Sequence, residues 1–270
     1  MSSIETGLYE LGQLDRLASQ DTSVHRLDPR AKLVTTLVFL VAVVSFGKYD
    51  ILGMLPFAFF PVVMASEGRL PFRFLGRKLL AVAPFALVIG FFNPWLDREI
   101  IVYLGALGVS GGWVSYASII IRFLLTTSAA LVLIGTTGMM GVCMAVERLG
   151  APDVFATQLL FLYRYIFVLG EEAMRMSRAR ALRSFGSRGM GLRVYGQMLG
   201  QLLLRTYDRA QRIYLAMQCR GFDGHVRIMR KLHLTSRDVA FTLGWSAAFV
   251  VFRIYNVPLL VGRLVTGLIA

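Results

Sequence analysis

The chain has 270 residues, 56% hydrophobic and only 17% charged, with a mean hydropathy of +0.62 and a formal net charge of +13. Soluble domains run about 45–50% apolar and about 25% charged. The composition therefore excludes an ordinary soluble globular domain and points to a membrane protein. The charge is concentrated: from Glu171 to Arg237 there are fourteen Lys and Arg against four Asp and Glu, a net of +10 in one quarter of the chain.

Residues 1–30 are polar, without an apolar core or small-residue cleavage site, so insertion is expected to rely on later apolar segments. In "HRLDPRAKL" (His25 to Leu33), Asp28 suits a helix cap, Pro29 suits the first turn, and Arg30 and Lys32 hold the end on the cytoplasmic side. A second reading makes this segment a brace for a coupling domain. Apolar segments follow at Leu33–Phe46, Ile51–Ala65, Leu79–Phe92 and Trp113–Gly135, with a last one in Val239–Ala270 that is broken at "RIYNVP". A spanning helix needs about 20 residues, and the first three reach that length only with flanking polar or glycine residues. The loop between the second and third carries Arg69, Arg73, Arg77 and Lys78, whereas "GKYD" and 93–112 are poor in basic residues. The positive-inside rule then places the N-terminus in the cytoplasm with four spans, and the chain is cytoplasmic again near Gly141. Arg122 lies inside the fourth apolar segment with no obvious carboxylate partner, which predicts an interhelical role facing the bundle interior.

The stretch 154–170 is apolar enough to cross. A crossing there would put the +10 segment outside, so the spacing of Phe155, Leu159, Leu162, Ile166, Leu169 and Ala173 is read as one face of a non-crossing helix from about Val154 to Arg183. Glycines in "SFGSRGMG" end it. A second helix is expected from about Leu192 to Arg220, with Leu203, Tyr207, Ala210, Tyr214 and Met217 on an apolar face. Arg205, Arg209, Arg212 and Arg220 fall within about 80° of one another on the other side, at 100° per residue. Gly221 suits a left-handed cap just past its end.

The two helices write one segment twice. Aligned 37 positions apart, residues 171–185 and 208–222 share five identities and three similarities, and Arg183, Ser184 and Phe185 fall on Arg220, Gly221 and Phe222. A basic residue at a helix end is ordinarily explained by the helix dipole, worth about 0.3–1 kcal/mol, and a basic face near a membrane by anionic headgroups. Two matched ends, each with a planar cation beside an aromatic residue, instead suit a partner with two similar sockets.

The chain resembles the transmembrane T component of energy-coupling factor transporters, of the cobalt (CbiQ-like) type. The resemblance is carried by "LDRLASQDTSVHRLDPRAKLVTTLVF", "FFNPWLD" (Phe91 to Asp97), "QLLFLYRYIFVLGEEAMRMSRARALRSFG" (Gln158 to Gly186) and "AMQCRGFDG" (Ala216 to Gly224), in that order. It implies an all-α, polytopic membrane helical bundle with long amphipathic cytoplasmic coupling helices. It further implies that two ATP-binding cassette ATPase subunits dock on two Ala-Arg-Gly-like helix ends, and that motion is relayed to a substrate-binding membrane subunit. The second end matches at Cys219, Arg220 and Gly221, followed by Phe222. The first is Arg183 with Ser184 and Phe185 by the internal repeat, with Ala179-Arg180-Ala181 as a competing frame. The expected organisation is a cytoplasmic segment 1–30, a transmembrane bundle 31–140, a coupling domain 141–237 and a C-terminal transmembrane segment 238–270.

Other chemistry is poorly supported by the sequence. No GxxxxGK[ST] loop occurs, so ATP hydrolysis is expected in partner subunits and no catalytic residue is assigned. His25, His225 and His233 have no ligand spacing, and Cys143 and Cys219 form neither a disulfide framework nor a metal pair, so no metal site or cofactor is expected in this chain. The methionines of the coupling region read as adaptable packing. The rivals are an integral-membrane enzyme acting on anionic lipid or nucleotide, which would need more than the four carboxylates of 171–237, and a basic membrane anchor, which would not need a repeat. Nucleic acid is not an expected partner; the bilayer is.

Overall fold

The computed structural model describes residues 3–96, 100–104, 107–183, 191–223 and 233–255. The elements in chain order are α1 (Ser3–Ala18), α2 (Pro29–Val44), a 3-10 segment (Leu52–Ala58) leading into α3 (Phe59–Glu67), α4 (Phe72–Gly90), α5 (Asn93–Leu96), a hairpin β1 (Ile100–Leu104) and β2 (Leu107–Ser110), α6 (Gly111–Arg148), α7 (Asp153–Arg183), α8 (Leu192–Cys219) and α9 (Ser236–Ile254). The fold is helical, as expected, with one addition: the basic-poor stretch between α4 and α6 holds a short antiparallel hairpin, paired Ile100 to Ser110 and Val102 to Val109.

Among the described residues, three helical stretches are long and apolar enough to cross a membrane: Phe72–Trp95, Gly111–Arg148 and Asp153–Arg183. The last is the helix whose charge context argues against crossing. The two apolar segments before them are short. α2 has 16 residues, about 24 Å at 1.5 Å per residue, against a hydrocarbon core of about 30 Å. In the next, Pro56 lies within the 3-10 segment that precedes α3; lacking an N–H, proline cannot sustain an α-helical ladder.

The chain divides into two compact units. One takes Arg16–Gly138 and Leu232–Ala270. Its core forms where α2, α3 and α9 meet. Phe39, fully buried, lies 5.0 Å from Phe60 and 5.4 Å from Phe249, ring centre to ring centre; Phe57 stacks on Phe249 at 5.8 Å and Trp245 meets Phe60 edge-on at 5.0 Å. Aromatic pairs add about 0.5–1.5 kcal/mol each beyond the area they bury. The partner that Arg122 lacked in sequence is a helix end. Its Nη2 donates to the carbonyls of Phe46 at 3.0 Å and Gly47 at 3.4 Å, just past α2. Arg253 of α9 joins it: Nε donates to Ser45 Oγ at 3.0 Å, Nη2 to the Ser45 carbonyl at 3.1 Å, and its guanidinium lies 4.4 Å over the Phe46 ring.

At the other end of α2 the cap was legible. Asp28 accepts from the Arg30 N–H at 2.9 Å and Pro29 opens the first turn. What the sequence did not show is that this corner is buried and tied to α9. The Asp28 N–H donates to Asp238 Oδ1 at 2.9 Å, while Asp238 Oδ2 accepts from the Thr235 N–H at 2.8 Å in a capping box that opens α9. Lys32, 2% exposed, donates from Nζ to the Thr136 carbonyl at 2.9 Å. His25 is also buried, with Nδ1 2.7 Å from Thr22 Oγ1 and Nε2 3.0 Å from the Leu17 carbonyl.

The other unit takes Met1–Asp15 and Met139–Lys231. In it the α7 Tyr163 hydroxyl donates to Asp15 Oδ2 of α1 at 2.7 Å, and α7 packs on α8.

Removing the Asp238 carboxylate leaves two backbone N–H groups short of a partner. Asp238→Ala should therefore lower stability by about 1–3 kcal/mol, read from thermal unfolding in detergent. Burial pushes the His25 imidazolium down from the ordinary histidine value of 6.5. The folded state thus favours the neutral ring. The corresponding stability is present above the unfolded value and is lost as pH falls below 6.5 through the lower folded value. His25→Asn should flatten that part of the pH–stability curve relative to the wild type.

Candidate partner-docking site

α7 begins at Asp153, after Pro152, whose carbonyl accepts from the Phe155 N–H at 2.9 Å. An acidic residue in the first turn and Arg180 and Arg183 in the last suit the helix dipole at both ends. Arg180 and Arg183 are exposed, and Leu182 between them is 81% exposed. Ser184 and Phe185, the other members of the first expected end, lie outside the described residues.

The second end is fully described. The last residue of α8 is Cys219, with Arg220 as its C-cap. Gly221 takes φ +76°, the left-handed conformation that the sequence pattern called for. The Phe222 N–H donates to the Met217 carbonyl at 3.0 Å and the Gly221 N–H to the Gln218 carbonyl at 2.9 Å, the paired bonds of a Schellman motif. Phe222 turns back, half-buried, to line a cleft with Met217. The turn fixes the Arg220 backbone and leaves its side chain exposed beside exposed Cys219. The Phe222 N–H thus closes the helix end.

That cleft, about 660 Å³, opens between α7 and α8. Phe161, Tyr165 and Leu169 face Tyr207, Tyr214 and Met217 across it, and Arg209 stands among its lining residues. The predicted apolar face of α8 is therefore the wall of a cleft: Leu203, Tyr207 and Tyr214 remain well exposed. The predicted face of α7 is likewise open at Phe155, Leu162 and Ile166. Glu172 of α7 joins the helices, accepting from Arg205 Nη1 at 2.6 Å, with Arg175 Nε at 3.6 Å. The arginines are largely exposed and Glu172 is half-buried, so the pair is worth on the order of 1 kcal/mol; it fixes register more than stability. No sequence signal marks this pairing, because Glu172 and Arg205 are 33 positions apart and offset in the repeat.

Among the described residues, no group of three or more His, Cys, Asp or Glu side chains could hold a metal ion. His225 and Met190 lie outside the described residues. Met174, Met176, Met198 and Met217 are half-buried along α7 and α8, in keeping with a packing role.

The helical fold and the long apolar stretches are those of a helical membrane protein. Residues 20–231 match the CbiQ family model, described as cobalt transport protein, and the chain belongs to that family. It is 30% identical over 237 residues to the energy-coupling factor transporter transmembrane protein EcfT of Bacillus subtilis, covering 80% of this chain and 88% of that one. It is 28% identical over 174 residues to the cobalt transport protein CbiQ of Rhodobacter capsulatus, covering 62% and 71%. To the nickel permease LarQ of Lactiplantibacillus plantarum it is 26% identical over 166 residues, covering 56% and 61%.

Gly221→Val forces a β-branched residue into a left-handed position, at a cost of about 1–2 kcal/mol. Amide exchange in the last turn of α8 should rise, while α7 exchange stays unchanged.

Proposed function

We propose that this chain is the transmembrane coupling subunit of an ATP-driven importer of the energy-coupling factor type, with a divalent transition metal, cobalt first, as cargo. Two ATP-binding cassette ATPase subunits dock on the ends of α7 and α8, and the chain relays their motion to a substrate-binding membrane subunit. The observation that carries the reading is Arg220, whose backbone is locked by a Schellman turn while its side chain stays exposed. It has a repeat partner, Arg183, at the equally exposed end of α7. A locked backbone under a free guanidinium lowers the ordering cost of binding a carboxylate-bearing partner.

In this reading 141–237 is a cytoplasmic coupling domain, with α7 lying along the membrane without crossing and the N-terminus inside. Support comes from the net +10 of 171–237, which the positive-inside rule keeps in the cytoplasm. The exposed apolar faces of α7 and α8 then meet the bilayer or the membrane partner. The chain itself carries out no catalysis; ATP is hydrolysed in the partners. Cargo coordination belongs to another subunit, because cobalt would need clustered imidazole or carboxylate.

Charge reversal of both arginines, Arg183→Glu with Arg220→Glu, should leave membrane insertion intact and cut recovery of the ATPase subunits on detergent co-purification about tenfold or more, the loss of hot-spot residues. Unchanged ATPase recovery would rule out docking at these ends. Single Arg180→Glu and Arg183→Glu variants separate the two frames for the first end: the larger loss identifies the docking arginine. Uptake of Co²⁺ against Ni²⁺ by cells carrying the complete complex assigns the cargo.

A further inference from the structure

α6 is written by the sequence as one apolar run, yet it contains a built-in interruption. Gly138 takes φ 72° and ψ 157° inside it. That region of backbone space is open essentially only to glycine. It breaks the i to i−4 ladder, and the carbonyls just before the break must find other donors. One donor is Lys32, 2% exposed, whose Nζ reaches the Thr136 carbonyl at 2.9 Å. A lysine is seldom buried so deeply. This one has no exposed surface to serve; its ammonium goes to a broken helix. Next to the break, Thr137 Oγ1 is buried with no hydrogen-bond partner among the described residues. Buried polar groups are nearly always satisfied, so an orphan beside a glycine-only backbone marks an arrangement held in place by its surroundings.

The break also has a place in the architecture: Gly138 is the last residue of one compact unit along α6, and Met139 is the first of the other. We propose that residues 134–139 of α6 are a pivot for transport, and that Lys32 is its positioning residue, holding the open carbonyls in one of two arrangements. This rests on the coupling reading above, because a pivot needs a driven partner. Hinges are a few positions that absorb a change in backbone angles. Here the glycine supplies the freedom and the lysine supplies a donor that can be exchanged for a ladder bond. The stem of Lys32 is anchored on α2, whose first turn Asp28 caps and ties to α9 through Asp238. The donor is thus fixed, and the segment of α6 is what moves.

The test is amide exchange across α6 in the wild-type, ATPase-bound complex, with a non-hydrolysable ATP analogue and then with ADP. Exchange at 134–142 should differ about tenfold between the two nucleotides while 113–133 stays constant, the signature of a local opening. Equal exchange in the two states of an intact ATPase-bound complex would overturn the pivot and leave the coupling reading standing. Failure of ATPases to co-purify with the wild type would overturn both. Lys32→Met keeps the stem and removes the donor. It should raise exchange at 134–142 in both states and erase the nucleotide difference, with Lys32→Arg restoring it. A rise spread evenly over 113–142 in Lys32→Met would mean that Lys32 only stabilises the bundle, and would also overturn the proposal.

Discussion

A helix end in apolar surroundings must find hydrogen-bond donors for its carbonyls, and most of this structure's unusual side chains answer that demand. A backbone group left unpaired away from water costs several kcal/mol. Arg122 and Arg253 converge on the carbonyls of 45–47 after α2. Lys32 reaches the Thr136 carbonyl where α6 is interrupted. At α8 the chain itself supplies the donors through the Gly221 turn. The same chemistry explains why arginine and lysine occur where hydropathy alone would forbid them.

Packing in the unit formed by Arg16–Gly138 and Leu232–Ala270 follows from this. With α2 pinned at both ends, its Phe39 is held against Phe57, Phe60 and Phe249. Where lipid replaces water, burial alone no longer drives helices together and close packing with polar pairs takes over. The aromatic cluster and the Asp28–Asp238 bond suit that regime: the first supplies dispersion contact, the second a specific tie between α2 and α9. The α7–α8 unit is built differently. Its helices share one Glu172–Arg205 pair and leave long apolar faces open around a cleft. A unit so little closed on itself is suited to being completed by what it binds.

The internal repeat was a sound guide to α7 and α8. Both helices end within a residue of the expected positions, and Gly221 has the left-handed backbone expected of it. The repeat did not reveal that the Phe222 N–H completes the cap, or that its ring lines the cleft with Met217. The sequence also marked Asp28 and Pro29 as a helix start, because capping is a local matter of a few residues. It names no partner for Arg122, because the apolar segments offer no carboxylate and the actual partner is backbone that every residue carries.

What the sequence determined by itself was therefore local or compositional: the apolar stretches, the concentration of positive charge, the caps and the family's ordered motifs. Those signals depend on spacing of a few residues or on totals, which a linear string preserves. The tertiary structure alone decided which helix end Lys32, Arg122 and Arg253 would serve, that Asp238 would hold the start of α2 some 210 positions away, and that α6 would break at Gly138. A backbone carbonyl has no sequence signature, so a side chain that serves one can be paired with it only when the fold brings the two together.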